Sequence, residues 1–209
     1  MAKTETGAII DAWAEVAQNA IREGTAESIA TAYESLVTVD VALSSTAAHT
    51  GTLVIVETSE QTSGDDTWAV WQTAIGVTGT AVTLGMDAVE PVAETVIACT
   101  NPATAKFDHD GKLIFIENVT DVTKSEIARQ SANSGDGGDT ITILDGLTNE
   151  QDADGVLWSQ DGDNVSAVSQ HEFYLPATKR RMRVIINNKY DADGATVHTR
   201  TRISKVATV

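Results

Sequence analysis

The chain has few cysteines, prolines, aromatic residues and basic residues, and each shortage excludes a class of protein. Cys99 is the single cysteine among 209 residues, so no disulfide can form within the chain. It follows the apolar residues 96–98, which predicts a buried and inert thiol. With three prolines and 5% aromatic residues, the composition is instead rich in Thr, Val and Ala, which favours many short strands.

Long apolar runs are also absent. No segment approaches the roughly 18 consecutive apolar residues that a membrane-spanning helix needs, so the sequence predicts no membrane partner. The first residues, MAKTE, lack the basic region and apolar core of a secretory signal. We therefore expect a protein that is made and folded in a reducing cytoplasm.

Basic residues are scarce and unevenly distributed. Lys and Arg number 14 against 30 Asp and Glu, a net charge of −16, which argues against a general nucleic-acid binder because phosphate binding needs a basic face. Residues 179–209 hold eight of these bases and two acids, about +6, whereas the rest of the chain carries about −22. Opposite charges attract, so we expect a basic edge on one subunit to meet an acidic surface on its neighbour.

An amphipathic pattern near the start of the chain predicts a helix over 8–23. Ile9, Trp13, Val16 and Ala20 recur at steps of three and four residues, and glycine at position 24 is a good stop. With the segment that follows, this predicts an N-terminal helical arm over 1–34, packed on its own domain or on an adjacent subunit.

The segments after the arm have the alternation of strands. Residues 36–43 alternate apolar and polar side chains, as in a half-buried strand. Residues 52–58 (TLVIVET) are apolar on both faces, which indicates a central strand. Short strands at hairpin-like spacing continue to the end of the chain, and they predict a mainly β protein.

The predicted architecture is an antiparallel sandwich of immunoglobulin-like or jelly-roll type. The sandwich is expected to comprise 35–102 and 160–209. The sequence texture changes in between, which predicts a small β subdomain inserted at 103–159.

The last strand separates apolar from basic side chains. His198, Arg200 and Arg202 are predicted to share one face, and with Arg181 and Arg183 they would form a ridge across one hairpin. Guanidinium groups bind carboxylates with two parallel hydrogen bonds, so the ridge suits an acidic surface of a neighbouring subunit. A solvated strand face has the same pattern. We expect reversal of Arg200 and Arg202 to Glu to weaken assembly without unfolding the monomer.

Asp-rich strings are the one pattern typical of a metal site. Asp-x-Asp-Gly occurs at 108–111, 152–155 and 191–194, and a related string at 161–164. Paired carboxylates can bind calcium, but none of the strings continues into the full calcium-loop pattern with its later Glu. Turn formation explains the same residues. The sequence therefore predicts no cofactor, with calcium at these turns as the alternative.

Motifs of catalytic sites are missing. Neither Gly-x-Ser-x-Gly nor a phosphate-binding Gly-rich loop occurs, and the sequence predicts that the protein is not an enzyme. The candidates for a sugar-binding platform are Trp13, Trp68, Trp71 and Trp158, for which core packing is the alternative.

Several strings resemble structural proteins of tailed bacteriophage particles. Residues 48–59 with 65–68, and residues 181–188, resemble a sandwich domain of such proteins. Residues 114–118, 125–129 and 140–148 are similar to a small β insert that also occurs there. The resemblance implies a virion component present in many copies at the neck, on the tail or on the capsid surface, and it assigns no catalytic residue.

Together these features predict a non-enzymatic homo-oligomer of a tailed-phage virion, assembled in the host cytoplasm. Its expected place is the neck, at the head–tail connection, or the capsid surface as a decoration protein. The expected partners are further copies of the chain and other virion proteins. The alternative is a calcium-dependent carbohydrate-binding sandwich that uses the Asp-rich turns and an exposed tryptophan.

Overall fold

A computed structural model describes residues 3–64, 67–100, 111–132, 140–160, 167–189 and 195–208. Within these residues the chain consists mainly of antiparallel strands, which confirms the predicted mainly β class. The strands are β1 (Lys3–Val16), β2 (Ile21–Glu23), β3 (Glu27–Ser28), β4 (Glu34–Leu43), β5 (Leu53–Ser59), β6 (Ala69–Ile75), β7 (Ala81–Met86), β8 (Val96–Thr100), β9 (Leu113–Glu117), β10 (Glu126–Ala132), β11 (Thr140–Ile143), β12 (Val156–Gln160), β13 (Val168–Pro176), β14 (Arg181–Asn187) and β15 (Val197–Thr208).

Two sheets enclose the larger hydrophobic core. The first sheet has the order β1-β15-β4-β13, and the second has the order β2-β14-β5-β6, with β3 also paired to β14. Every second residue of a strand points to the same face. Val39 and Val41 of the first sheet therefore reach the same core as Val54 and Val184 of the second.

The strands β7 to β12 form a separate closed barrel. Their order around it is β10-β11-β8-β7-β12-β9, and its interior is filled by residues such as Leu84, Ile97, Ile116 and Leu157. The barrel strands lie between residues 81 and 160, so the barrel begins before the insert predicted at 103–159. The barrel begins earlier because β7 pairs with β12 and β8 pairs with β11, so both strands belong to it.

The predicted N-terminal helix is wrong, because this segment forms the edge strand β1, antiparallel to β15. Two register shifts interrupt the pairing between Ile9 and Ala14. The buried side chains are Ile10 and Val16, which pack on the sandwich core, and Trp13, which packs on the opposite face of the sheet. The three-residue spacing that predicted one helix face thus belongs to buried residues on both faces of a bulged strand. The rest of the predicted arm consists of β2, β3 and loops.

The barrel covers part of the outer face of the first sheet. Trp13, Ala42 and Val168 of that sheet form an apolar cluster with Phe115 of β9, and the ring centroids of Trp13 and Phe115 are 4.8 Å apart. This part of the sandwich surface is therefore buried within the chain.

Candidate assembly surface

Arg200 and Arg202 bind a buried carboxylate of their own chain. Asp40 on β4 is 0% exposed and lies directly across the ladder from Arg200. Its Oδ2 is 2.8 Å from both Nε and Nη2 of Arg200. Its Oδ1 accepts hydrogen bonds from Arg202 Nη2 at 3.0 Å and from Gln170 at 2.9 Å. Reversing both arginines to Glu would place carboxylates against Asp40 and destabilise the monomer, contrary to the expectation from the sequence.

Arg181 and Arg183 lie on the other sheet. Since β14 pairs with β2, β3 and β5 while β15 pairs with β1 and β4, the predicted ridge across one hairpin is wrong. Arg183 Nη2 is 2.7 Å from Glu57 Oε2, and Nη1 binds Glu23. The guanidinium groups of Arg183 and Arg181 lie 4.6 and 5.3 Å from the ring centroid of Trp68.

Many of the oppositely charged residues thus form ion pairs within one chain. Lys179 pairs with Glu60 and Lys205 with Glu27, in addition to the pairs of Asp40 and Arg183. Residues 179–209 therefore do not form one continuous basic edge. The barrel segment 81–160, in contrast, holds fourteen acids and four bases, so it accounts for most of the net charge.

His198 lies between the sandwich and the barrel. It is 4% exposed, with Nδ1 2.8 Å from Ser44 Oγ and Nε2 3.6 Å from Glu117 Oε1. Burial lowers the pKa of His198 to about 4, against the opposing effect of the Glu15 charge. Burial also raises the pKa of Glu117, although a 2.6 Å hydrogen bond from Trp158 Nε1 opposes this. The imidazole is therefore neutral at neutral pH and adds no charge to a binding surface.

The outer face of the second sheet carries an apolar patch beside the ion pair of Arg183 and Glu57. Leu53 and Ile55 of β5 point away from the core, because Val54 and Val56 point into it. Neighbouring strands place aliphatic side chains on the same face. We call this set the sheet face, and it comprises Ile21, Leu53, Ile55, Val70, Ile75 and Ile185.

Within the part of the chain that the structure describes, no element covers the sheet face. Ile21, Val70 and Ile75 are 52%, 60% and 42% exposed. The edge strand β6 has six exposed residues among its seven, and its outer edge has no neighbouring strand among the described residues. Sequence reasoning missed this surface, although the signal was present: TLVIVET is apolar on both faces because one face meets the core and the other is uncovered.

The tryptophans divide between core and surface. Trp13 is buried and Trp158 is half-buried, whereas Trp71 is 38% exposed. Trp68 lies beside a cleft of about 410 Å³. The other residues that line this cleft are Thr58, Glu60, Gln61, Thr67, Ala69 and Lys179.

Asp-rich strings give no metal cluster in the described residues. The string 152–155 forms a turn in which Gly155 N donates to Asp152 O at 2.9 Å. The strings at 161–164 and 191–194, and the string at 108–111 apart from its glycine, lie outside the described residues. No group of three acidic, His or Cys side chains in the described ranges is placed to hold a metal ion. The same ranges contain no helix long and apolar enough to cross a membrane.

Comparisons with known proteins add little to this all-β architecture. No family model and no curated protein matches the chain. The crystal structure of the SPBc2 prophage-derived protein YomS aligns over 99% of this chain and 96% of that one, at 12% identity and a TM-score of 0.32. The structure of the infectious bursal disease virus Gx strain aligns over 99% of this chain and 39% of its own, at 7% identity and a TM-score of 0.22. At such TM-scores, neither alignment assigns a function.

Proposed function

We propose that the chain is a non-enzymatic structural component of a tailed bacteriophage particle and assembles as a homo-oligomer, at the neck or on the capsid surface. The observation that supports assembly most directly is the uncovered sheet face, where Ile21, Val70 and Ile75 are at least 42% exposed. Contiguous exposed apolar patches on soluble proteins commonly mark interaction sites, and an exposed edge strand offers further unpaired backbone groups. The place in a phage particle rests on the resemblance of the sequence.

Light scattering of the purified protein at low and high concentration tests the homo-oligomer. We expect a discrete mass above that of the monomer, and a smaller mass when Ile75 is changed to Lys, because burying an ammonium group in an apolar contact is costly. Val119→Lys is the matched control, since Val119 is 57% exposed and lies outside the sheet face. A wild-type chain that stays monomeric at every concentration would contradict the proposal.

Peptide mass spectrometry of purified particles of the encoding phage tests the virion role separately. We expect the chain in many copies per particle. Its absence from intact particles would contradict the virion role even if the purified protein is oligomeric.

A calcium-dependent carbohydrate-binding module is the second candidate. It is favoured by the exposure of Trp71 and by the polar cleft beside Trp68, since indole rings combine apolar area with a polar N–H. In this case a chelator would lower the melting temperature, and Trp71→Ala would abolish saccharide binding. A melting temperature that is indifferent to chelation would contradict the calcium-dependent module.

A further inference from the structure

The edge of β6 differs from the other strand edges of the sandwich. β1 has two register shifts and carries several carboxylates, among them Glu5 and Asp11. β13 carries Glu172 and ends at Pro176, and β2 and β3 have only three and two residues. Charges, bulges, prolines and shortness all keep an exposed edge from pairing with another chain. β6 (AVWQTAI) contains neither a charged residue nor a proline.

The uncharged sequence extends beyond β6. The twenty residues 67–86 contain no Asp, Glu, Lys, Arg or His, although charged residues make up 21% of the chain. The nearest acids in the sequence are Asp65 and Asp66 before this stretch and Asp87 after it. In a chain of net charge −16, two copies can therefore meet along β6 without placing charged residues of the two strands against each other.

The open edge of β6 presents backbone donors and acceptors. The register shift between β6 and β5 is confined to Trp71, so the strand is regular after this residue. Gly76 N donates to Thr52 O at 2.7 Å, on the side of β5. Successive residues of a strand direct their backbone groups to opposite sides. Thr73 and Ile75 therefore direct their N–H and C=O groups away from β5, along the open edge.

We propose that β6 of one copy pairs antiparallel with β6 of a second copy, about a two-fold axis at Ala74. The inference rests on the proposed homo-oligomer and names its contact. In this register Thr73 lies opposite Ile75 of the second copy, and the two residues exchange two backbone hydrogen bonds. The axis generates this pair twice, so the open backbone groups of both residues are bonded in each copy. The contact joins the same surface of the two copies and closes at the dimer.

The side chains permit this register. Ala74 lies opposite Ala74 of the second copy, and its methyl group fits a pair in which the Cα atoms are about 4.5 Å apart. Ile75 is 42% exposed and packs against Thr73 of the second copy, and such β-branched pairs stabilise neighbouring strands. The second sheets of the two copies then form one continuous sheet, with the two sheet faces side by side.

The antiparallel direction also separates like charges. The start of one β6 lies beside the end of the other, and the residues that follow the strand, 76–86, are uncharged. Asp65 and Asp66, which precede the strand in the sequence, therefore do not face the same residues of the second copy. Pairing of two β1 edges is the competing arrangement. It would join strands that each carry three acids and one base, and like charges opposite each other destabilise a strand pair.

A disulfide between two copies tests the register. Ala74→Cys places two thiols at the axis, where the Cα distance of about 4.5 Å lies within the range that a disulfide spans. Ala69→Cys is the matched control, because Ala69 is an exposed alanine of the same strand that lies five residues before the axis. We expect mild oxidation to give a covalent dimer of Ala74→Cys and none of Ala69→Cys in non-reducing gel electrophoresis. Cys99 is 1% exposed and does not contribute.

Thr73→Pro tests the use of the edge itself. Proline removes the N–H group that points to the open side and leaves the hydrogen bonds to β5 in place. We expect the dissociation constant of the dimer to rise at least about tenfold, because each copy loses one hydrogen bond. Light scattering over a concentration series measures this change. Thr73→Val is the matched control, which keeps the N–H group and should dimerise like the wild type.

Several results would overturn the contact. A dimeric wild type with no disulfide in Ala74→Cys, or equal crosslinking of Ala69→Cys, excludes the register. Equal dimerisation of Thr73→Pro and Thr73→Val shows that the edge is not used. If the proline variant does not fold, amide hydrogen exchange of the wild type decides, because pairing protects the amides of Thr73 and Ile75 as the protein concentration rises. Exchange rates that are independent of concentration overturn the contact. In failure of the proposed function, by contrast, the wild-type chain itself is monomeric.

Discussion

Asp40 and Arg200 form a buried ion pair between neighbouring strands of the first sheet, with two 2.8 Å contacts from the guanidinium group to Oδ2. The guanidinium group also lies 4.8 Å from the ring centroid of Trp13, which itself packs on Phe115 of the barrel. The ion pair therefore connects two neighbouring strands of the sandwich and also contacts the surface on which the barrel packs.

Removal of the Asp40 carboxylate should destabilise the fold strongly. Asp40→Ala leaves Arg200 and Arg202 without their anion in a site where the carboxylate is 0% exposed. We expect the free energy of unfolding to fall by roughly 3 kcal/mol, as when one partner of a buried ion pair is removed. Equilibrium unfolding in urea measures this change.

The exposed pair of Lys179 and Glu60 supplies the control for Asp40. The side chain of Glu60 is 80% exposed and its contact is 3.4 Å, so Glu60→Ala should cost less than about 1 kcal/mol. Similar losses for Asp40→Ala and Glu60→Ala would show that the buried pair contributes no more than a surface pair.

Acidification should destabilise the protein through His198. The pKa of this imidazole is about 4 in the folded chain and 6.5 ordinarily, so the unfolded chain binds the proton more readily. The stabilisation is fully present above pH 6.5 and is lost as the pH falls toward 4, by up to roughly 3 kcal/mol. Urea unfolding at intervals between pH 7 and about 4 follows this loss.

His198→Gln separates this effect from those of the carboxylates. Glu117 acts in the opposite sense, because its raised pKa favours folding below its ordinary value of 4.5. Because the variant lacks the imidazole but keeps the carboxylates, its free energy of unfolding should fall less than that of the wild type between pH 6.5 and 4. Parallel pH profiles of the two proteins would show that His198 is not the titrating group.

Glu126 should be essential to the barrel. Its carboxylate is buried and accepts hydrogen bonds from Thr148 N at 2.9 Å, Thr148 Oγ1 at 2.6 Å and Gln151 Nε2 at 2.9 Å. Glu126→Gln directs an amide NH₂ at one group of donors. We therefore expect the free energy of unfolding, measured in urea, to fall by about 2 kcal/mol or more. Glu150→Gln is the exposed control and should be nearly neutral. Equal stability of both variants would contradict the proposed role.

Cys99 should be inert in the folded protein. Burial raises the pKa of its thiol to about 12, assisted by the charges of Glu90 and Asp87, and it is 1% exposed. We expect an aromatic disulfide reagent at pH 8 to label the thiol only in denaturant, because the thiolate is the reactive form. A Ser63→Cys variant gains an exposed thiol and should label immediately. Rapid labelling of native wild-type protein would refute the buried state.

Alternating residues made the sandwich core predictable from the sequence. Val39 and Val41 face the core as expected because a strand has a fixed two-residue period. The same reasoning failed for β1, since register shifts are a property of pairing with β15 and leave no separate mark in the sequence. Reasoning from the sequence also assigned Arg183 and Arg200 to one ridge, because nearness in sequence does not reveal to which sheet each strand belongs.

The sequence by itself determined the mainly β class, the uneven distribution of charge and the burial of Cys99, because composition and local periodicity act without knowledge of distant partners. Only the tertiary structure decided how the charges are used. It placed Asp40 against Arg200, 160 residues apart along the chain, and it covered part of one outer sheet face with the barrel while leaving the sheet face exposed. Such pairings depend on strand order, which long-range packing selects and short sequence patterns do not encode.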